Sequence, residues 1–466
     1  MLEKSFMPYI IAFCWISAML LVGTVLRAKV PLFQKYLVPA SLIGGLAGFV
    51  LMNLGWVGAP FLQSGWQTIP HDTFEVFSFY LFTIGFVALG LMGHGSGSRG
   101  LGKEIVRGSL WMALAWSALL CIQAIAGLGV FSAANVLTNA KTYEPLGYLI
   151  AHGFGQGPGQ ALAIGAAWQS FKIEDAVSIG LFFAALGSFV GAFTGVPLVK
   201  WGLKKGFTAN APKELPSNAV VGLMKKDSRQ SLGSHTTHPS NVDTLALHLA
   251  VLGLALGLTY LFCYLLRYYF YPSSLASLTF GFAFFYGMMM GFMVRFVMDK
   301  VGIGHLLDNE LQNRIVGTSV DFLVVATMMA IKFTTIWKYI IPLAASVLII
   351  SIITLLLSLY FARRFPGPFG FERMLVMYGI ATGTAATGLL LLRIVDPEFK
   401  TPAAVEAGIM NFWCLFTSLH IIFLVSVLPG PGFPDIVQMT LTYAVTGLAC
   451  LILMKLLGLW KGQRQF

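Results

Sequence analysis

Long apolar stretches recur along almost the whole chain, and they constrain its fold more than any other feature. A membrane-spanning helix needs about 20 apolar residues, and about eleven stretches meet that length. They run over residues 6–26, 39–56, 74–92, 108–131, 177–199, 244–270, 278–297, 315–336, 339–361, 403–428 and 436–459. Charged residues make up only 11% of the chain, against about 25% in soluble domains. The sequence therefore predicts an all-α polytopic membrane protein.

Two glycine-rich segments lie between strong spans and do not suit ordinary lipid-facing helices. The first covers about 146–169 and contains AHGFGQGPGQALAIG, and the second covers about 374–396 and contains GIATGTAATG. Irregular backbone at membrane depth is tolerated only where protein buries it or where it lines a wet cavity. Both segments are therefore predicted to be re-entrant hairpins.

The distribution of basic residues predicts the orientation in the membrane. If the N-terminus is outside and each hairpin returns to the side it starts from, about four fifths of the 30 Lys and Arg residues fall inside. Cytoplasmic loops carry such an excess of positive charge. We therefore expect the N-terminus outside and the C-terminus in the cytoplasm, with the first hairpin entering from outside and the second from inside.

The spans and hairpins also predict an internal repeat. Each half contains four spans, a re-entrant hairpin and a fifth span, and the odd number of spans turns the second half upside down. The predicted regions are an N-terminal repeat (1–201), a cytoplasmic linker (202–243), an inverted C-terminal repeat (244–430), and an extra C-terminal span with its tail (431–466). Inverted repeats with broken helices are typical of secondary transporters.

Candidate ligands for solutes are concentrated in the two hairpins. Alternating glycines and Pro158 in the first exclude a continuous helix and leave backbone amides that suit an anion. Nine of the ten residues from 379 to 388 in the second are Gly, Ala or Thr, whose hydroxyl and carbonyl oxygens suit Na⁺. The alternatives are a tight structural turn in the first hairpin and close helix packing in the second.

The predicted substrate- and ion-binding residues are Gly155, Gln156, Gly157, Gly159, Gln160, Thr382, Gly383, Thr384, Thr387 and Asn411. Thr382, Thr384 and Thr387 are the Na⁺ candidates among them. A third glycine pattern, in the span 177–199, places Gly187, Gly191 and Gly195 on one smooth ridge, for which helix packing is the favoured interpretation.

Several motifs resemble those of bacterial sodium/glutamate symporters, in the order in which that family carries them. They are Lys35-Tyr36-Leu37-Val38-Pro39 before Gly44-Gly45-Leu46, the glycine ridge with Pro197, and Gly165-Ala166-Ala167-Trp168 after the first hairpin. The resemblance covers most of residues 30–430. It implies Na⁺ as the coupling ion, glutamate as the solute, an elevator-type movement, a homodimer, and a place in the bacterial inner membrane.

The first hairpin departs from the pattern of that family. The family typically has Gly-Gly-His-Gly-Thr-Gly there, whereas this chain has Gln156 and Pro158 in place of the His and the Thr. The departure leaves the identity of the solute open. The expected function is still a Na⁺-coupled symporter that imports L-glutamate or a related small carboxylate or amino acid.

Three other classes of function fit the sequence less well. A channel or passive pore for small anions needs a continuous polar lining, which the spans do not show, and a proton-coupled transporter of a different organic anion is a further alternative. An enzyme is not expected, because HExxH, GxSxG and paired-acid constellations are missing from the sequence. Nucleic acid is not an expected partner either, since the basic residues occupy short loops rather than a stripe.

Overall fold

The computed structural model confirms an all-α polytopic fold. It describes residues 2–61, 65–92, 102–139, 141–210, 220–224, 231, 233–238, 240–270, 279–280, 282–397, 400–430 and 435–461. The first half contains α1 (Leu2–Lys29), α2 (Pro31–Lys35), α3 (Ala40–Asn53), α4 (His71–Gly90), α5 (Lys103–Thr138), α6 (Leu149–Gln156), α7 (Pro158–Ser170) and α8 (Ala176–Lys205). The second half contains α9 (Thr244–Phe270), α10 (Ala283–Val301), α11 (Asn309–Ala330), α12 (Phe333–Lys338), α13 (Ile340–Ala362), α14 (Gly370–Thr382), α15 (Ala385–Val395), α16 (Ala403–Val427) and α17 (Ile436–Leu456).

Eight of the described helices are long and apolar enough to cross a membrane: α1, α4, α5, α8, α9, α13, α16 and α17. The other three predicted spans contain the helices α3, α10 and α11, which fall short of that standard. The span predicted over 315–336 is interrupted, because α11 ends at Ala330 and α12 begins at Phe333. α3 is only 14 residues long, and it ends just before Gly55, whose φ of 74° stops a helix. α10 and α11 are long enough but carry charged side chains, such as Arg295 in α10 and Asp321 in α11.

The sequence did not predict the short β-ribbon that lies between α3 and α4. Its strands, β1 (Gly58–Phe61) and β2 (Gly65–Thr68), pair antiparallel with Gly58 opposite Thr68. The indole nitrogen of Trp15 donates a hydrogen bond of 2.9 Å to the carbonyl oxygen of Gly58. The ribbon is thereby tied to α1.

The helices divide into two compact units, the first of which consists of Met1–Gly23, Gly44–Gly100 and Leu223–Ala330. Glycines let its helices approach closely. A Cβ on Gly48 of α3 would lie 2.7 Å from Met329 Cγ of α11, and one on Gly291 of α10 would lie 2.6 Å from the carbonyl oxygen of Val87 in α4. The second span of each predicted repeat thus packs against the third span of the other predicted repeat.

The second compact unit consists of Thr24–Ile43, Leu101–Gly222 and Ile331–Phe466. It contains α5, α8, α13, α16 and α17 together with the four short helices of both hairpins. α5 is central, because α13, α16 and α17 all pack on it and residues 111–121 are buried without interruption. This unit therefore takes the fourth span, the hairpin and the fifth span from each predicted repeat.

The predicted linker begins inside a helix. α8 continues to Lys205 and ends at Gly206, which has φ 72°. Residues 211–219 and 225–230 of the linker lie outside the described part of the chain. Its last residues belong to the first unit, where the hydroxyl of Thr236 donates a 2.8 Å hydrogen bond to the carbonyl oxygen of Leu306.

Candidate functional site

Each predicted hairpin is a pair of short helices separated by a break. In the first, Gly157 stands between α6 and α7 with φ 86° and ψ −176°, a conformation that L side chains avoid. Pro158 follows as the first residue of α7, where its missing N–H costs no hydrogen bond. In the second, Gly383 and Thr384 separate α14 from α15. The helix breaks predicted from glycine and proline content are confirmed.

The two breaks lie against each other within the second unit. A Cβ built on Gly157 would be 2.9 Å from Thr384 Cγ2 and 3.3 Å from the carbonyl oxygen of Gly383. Since side chains meet at such distances only under strain, any residue larger than glycine at 157 would push the breaks apart. The tips of the two hairpins therefore meet within the second unit.

Both breaks contain residues that are not fully buried. Residues 149–165 are buried with the exception of Gln156, which is half-buried. Residues 370–383 are all buried, whereas Thr384 is half-buried and Ala385 is exposed. Each hairpin is therefore accessible at its break.

Four helix ends come together at this point, and their partial charges differ in sign. α7 and α15 begin there, and neither Gly157 nor Thr384 makes a side-chain capping hydrogen bond. Free N–H groups in a first turn give a helix N-terminus about half a positive charge. α6 and α14 end there and contribute carbonyl oxygens with the opposite sign. The arrangement suits an anionic group and a cation bound side by side.

Gln156 and Gln160 bring amide side chains to the first break. Gln156 Oε1 lies 2.6 Å from His152 Nδ1. Gln160 is only 8% exposed, and its Oε1 accepts no hydrogen bond from any residue that the structure describes. An unpaired buried acceptor costs about 1–3 kcal/mol. A donor on a bound solute would remove that cost.

Two of the three Na⁺ candidates lie together against α8. A Cβ on Gly191 would be 2.8 Å from Thr387 Cγ2 and 2.9 Å from Thr382 Oγ1. Thr382 is fully buried, and its hydroxyl donates a 2.8 Å hydrogen bond to the carbonyl oxygen of Tyr378. Thr384, the third candidate, lies in the break itself. The three threonines thus line one side of the hairpin tip.

The glycine ridge of α8 forms the surface against which the second hairpin packs. A Cβ on Gly187 would be 2.5 Å from the carbonyl oxygen of Thr382, and one on Gly195 would be 2.6 Å from Leu391 Cδ1. The packing interpretation of this ridge is confirmed.

Two residues of α5 connect the hairpins and were missed by the sequence analysis. Gln123 Nε2 donates hydrogen bonds to the carbonyl oxygen of Ala381 (3.0 Å) and to Thr354 Oγ1 (2.8 Å). Trp116 Nε1 donates to the carbonyl oxygen of Gly155 (3.1 Å). The hydrogen bonds to Ala381 and Gly155 satisfy carbonyl groups next to the two breaks. The available signal was the amide of Gln123, a polar side chain isolated within an apolar span.

The remaining predicted residues are placed differently. Gly159 is buried in the first turn of α7. Asn411 is exposed on α16, whose buried face is formed by residues such as Met410 and Cys414. No hydrogen bond or ion pair among the described residues joins Asn411 to either break. The structure therefore gathers the hairpin candidates at one point but does not bring Asn411 to it.

An ion pair anchors the start of the second hairpin. Arg373 of α14 and Glu406 of α16 have fully buried side chains, and two guanidinium nitrogens donate to the two carboxylate oxygens at 2.6 Å each. Glu104 approaches the same guanidinium at 3.4 Å. Breaking a buried pair typically costs about 3–5 kcal/mol. The ion pair gives the buried acid Glu406 a structural role, because its partner Arg373 lies at the start of the hairpin and not at the break.

Two broken hairpins that meet inside a helical membrane protein define the class of the molecule, since discontinuous helices of this kind hold the substrates and ions of secondary transporters. The particular family follows from the sequence. Residues 7–368 match the sodium/glutamate symporter family, and because the match covers well over half of the chain, the protein belongs to that family of transporters. No curated protein matches the chain.

The extent of the family match is informative. It includes the first hairpin and ends at residue 368, just before α14 begins at Gly370. The second hairpin, α16 and α17 therefore lie beyond the matched region. The family match therefore includes the first hairpin, whereas the part of the candidate site in the second hairpin is assigned from the structure alone.

Proposed function

We propose that this protein is a Na⁺-coupled symporter that imports L-glutamate or a closely related amino acid or small carboxylate, and that its binding site is the meeting point of the two hairpins. The observation that carries the proposal is the pair of helix N-termini without side-chain caps at the two breaks, where Gln156, Thr384 and Ala385 are not fully buried. Membership in the sodium/glutamate symporter family supports both the solute and the coupling ion.

The first break supplies complementary groups for an amino acid. Gly159 and Gln160 lie in the first turn of α7, where backbone N–H groups have no intrahelical partner and favour a carboxylate. The buried and unpaired Oε1 of Gln160 is an acceptor for an ammonium group. Since a carboxylate and an ammonium are both accommodated, an α-amino acid fits the first break better than a simple carboxylate.

The second break supplies oxygen ligands for the ion. Thr382, Thr384 and Thr387 carry hydroxyls, and the carbonyl oxygen of Gly383 lies beside Gly157. Hard cations prefer such neutral oxygen donors. A bound Na⁺ would also offset the negative end of α14 and attract the carboxylate of the solute, which couples the two binding events.

The composition of the hairpins favours Na⁺ over a proton as coupling ion. Proton-coupled carriers use Asp, Glu or His chains in the membrane. Residues 147–167 and 373–393, which surround the two breaks, contain no Asp or Glu. His152 is the one histidine in these segments, and both of its ring nitrogens already have hydrogen-bond partners.

We further propose that transport is of the elevator type. Both hairpins and the helices that support them belong to one compact unit, so movement of that unit would carry a complete site. The same proposal includes a homodimer in a bacterial inner membrane, with the N-terminus outside and the C-terminus in the cytoplasm. The distribution of the Lys and Arg residues supports that orientation.

Uptake by proteoliposomes tests the function. Purified protein should accumulate labelled L-glutamate under an inward Na⁺ gradient and not under K⁺ or proton gradients of equal size. A panel of unlabelled amino acids and dicarboxylates, each added as competitor, identifies the preferred solute. The variants Gln156→Ala and Thr384→Ala should raise the half-saturating concentration of glutamate and of Na⁺ respectively, with unchanged expression.

Other results would replace the proposal with one of its alternatives. Uptake driven equally well by a proton gradient would indicate a proton-coupled anion transporter. Electrical currents far above the turnover of a carrier would indicate a channel. Unchanged half-saturating concentrations of both solutes in the two variants would remove Gln156 and Thr384 from the site.

A further inference from the structure

A chain of hydrogen bonds links the first break to the C-terminal helix α17. His152 Nδ1 lies 2.6 Å from Gln156 Oε1, and His152 Nε2 lies 2.7 Å from the hydroxyl of Tyr443. His152 and Tyr443 are both fully buried. Gln156 is half-buried and thus reaches the accessible surface at the break. The chain therefore runs from a buried tyrosine to a residue of the proposed binding site.

With Gln156 Oε1 placed toward His152, the chemistry of the three groups sets the direction of these hydrogen bonds. A carboxamide oxygen only accepts, so His152 Nδ1 must carry the proton that Gln156 Oε1 receives. In the neutral imidazole Nε2 is then an acceptor, and the Tyr443 hydroxyl donates to it. With its oxygen engaged, Gln156 presents its NH₂ group to the remaining surroundings. That group is a pure donor, which suits a carboxylate.

We infer that Tyr443 and His152 are positioning residues, which hold the amide of Gln156 with its NH₂ group toward the carboxylate of the transported solute. The inference rests on the proposed function and adds a specificity device to it. Without the Tyr443 hydroxyl as donor, the imidazole can carry its proton on Nε2, and the amide can then rotate by half a turn and present its oxygen, which repels a carboxylate. The helix that carries Tyr443 is thereby part of the site.

The position of α17 in the sequence makes this role specific to the C-terminal region. α17 lies beyond the family match, which ends at residue 368, and outside both predicted repeats. It is nonetheless packed on α5 and α16. A Cβ on Gly447 would be 3.1 Å from Cys121 Cβ of α5, so this glycine lets α17 approach closely enough for Tyr443 to reach the hairpin.

A neighbouring tyrosine provides a matched control. Tyr148 is also fully buried, and its ring stacks on that of Tyr443 with 5.2 Å between centroids. Its hydroxyl, however, bonds to Thr440 Oγ1 (2.7 Å) and to the carbonyl oxygen of Ile436 (3.1 Å), both on α17. Tyr148→Phe removes an equally buried hydroxyl from the same contact without touching His152 or Gln156.

Transport kinetics of the full-length protein test the inference. Tyr443→Phe should raise the KM for glutamate about five- to tenfold, the effect of one lost hydrogen bond in a binding site, with little change in maximal rate or Na⁺ dependence. Tyr148→Phe should leave that KM within about twofold of the wild-type value. In a Gln156→Ala background Tyr443→Phe should have no further effect, because the group it positions is gone. Thermal melting in detergent checks that all variants are folded.

A spectroscopic measurement tests the hydrogen-bond order independently of transport. In protein labelled with ¹⁵N-histidine, the resonances lost on His152→Asn identify His152 among the eight histidines. They should report the neutral tautomer protonated at Nδ1, and Tyr443→Phe should shift the Nε2 resonance. A tautomer protonated at Nε2, or equal KM increases in the two tyrosine variants, would overturn the inference. Failure of the wild-type protein to take up glutamate would instead refute the proposed function and leave the tautomer result standing.

Discussion

The two hairpins have the same architecture but differ in chemistry at their breaks. The first break is one residue, Gly157, held at positive φ and followed by a proline, with two glutamines nearby. The second contains Gly383 and Thr384, both at negative φ, with threonines on either side. The first hairpin thus offers amides and hydrogen-bond donors, whereas the second offers hydroxyl and carbonyl oxygens.

The difference suggests that the first hairpin binds the organic solute and the second binds the cation. Backbone and amide N–H groups recognise the acceptors of an organic solute, and a carboxamide oxygen recognises its ammonium group. Hydroxyl and carbonyl oxygens hold a bare cation with little regard for anything else. Since the breaks touch at Gly157 and Thr384, the proposed sites for the solute and the ion lie beside each other, and both hairpins together would form the binding site. Four substitutions test this comparison.

The largest effect is expected from Gly157→Ala. Its Cβ would strain the backbone at φ 86° and meet Thr384 Cγ2 at 2.9 Å, so it would separate the two breaks. Misplacing groups of a site by about 1 Å costs on the order of 100-fold in rate, and uptake of glutamate should fall at least that far. Gly129→Ala in α5 is the control, because nothing lies within 4 Å of its added Cβ. Normal uptake by Gly157→Ala would show that the breaks need not touch.

Thr387→Val separates the ion from the solute. The change keeps the shape of the side chain and removes the hydroxyl, and it should raise the half-saturating Na⁺ concentration about tenfold. The KM for glutamate at saturating Na⁺ should change little. Thr387→Ser, which keeps the hydroxyl, should restore the Na⁺ dependence. An equal loss in Val and Ser variants would mean that packing against Gly191 matters and ion binding does not.

Gln160→Leu tests the first hairpin. The change should not reduce the stability of the protein but should weaken the binding of glutamate. Removal of an unpaired buried acceptor should leave the melting temperature equal or higher. Loss of the partner for an ammonium group should raise the KM for glutamate about fivefold and leave the Na⁺ dependence unchanged. A solute without an ammonium group should not be affected. A lower melting temperature with an unchanged KM would assign Gln160 to structure alone.

The smallest effect concerns the segments that follow each hairpin, since an aspartate comes soon after both. Asp396 accepts hydrogen bonds from the backbone nitrogens of Lys400 and Thr401. Asp175 instead accepts from the side chains of Lys338, Tyr339 and Thr335. Burial alone would raise the pKa of Asp175, but these hydrogen bonds outweigh it and lower the pKa.

A lowered pKa in the folded state stabilises the fold above the ordinary pKa of aspartate, about 4, and this contribution disappears as the pH falls through the lower value. Asp175→Asn should therefore destabilise the protein at pH 7 by less than about 1 kcal/mol, because Lys338 is largely exposed. The difference in melting temperature from the wild type should shrink below pH 4. A difference that persists at acid pH would show that the charge of Asp175 is unimportant.

The sequence predicted the features that depend on local chemistry. Gly157 with Pro158, and the run of Gly, Ala and Thr around Gly383, break helices wherever they occur, so the hairpins were found. Partners from other helices were not predictable, because hydrophobic periodicity does not tell which helices are neighbours. Gln123 and Tyr443 were missed for that reason.

The buried face of a strongly apolar helix was equally hard to predict. α16 is apolar on nearly all sides, so its sequence does not show which face is buried, and Asn411 proved to be exposed. The β-ribbon at 58–68 is short and rich in glycine, and its strands have no clear alternation. Such elements depend on contacts such as that between Trp15 and Gly58.

The hydrogen bond between His152 and Tyr443 spans 291 positions of the chain, and this separation has a consequence for biosynthesis. A ribosome adds roughly 5–20 residues per second, so the first hairpin waits about 15–60 s for its partner to be made. During that interval the imidazole of His152 lacks the hydrogen bond with the Tyr443 hydroxyl, which it acquires only once α17 has been made. The newly made hairpin is therefore complete in sequence long before it is complete in structure, and the helix that carries Tyr443 is the one that finishes it.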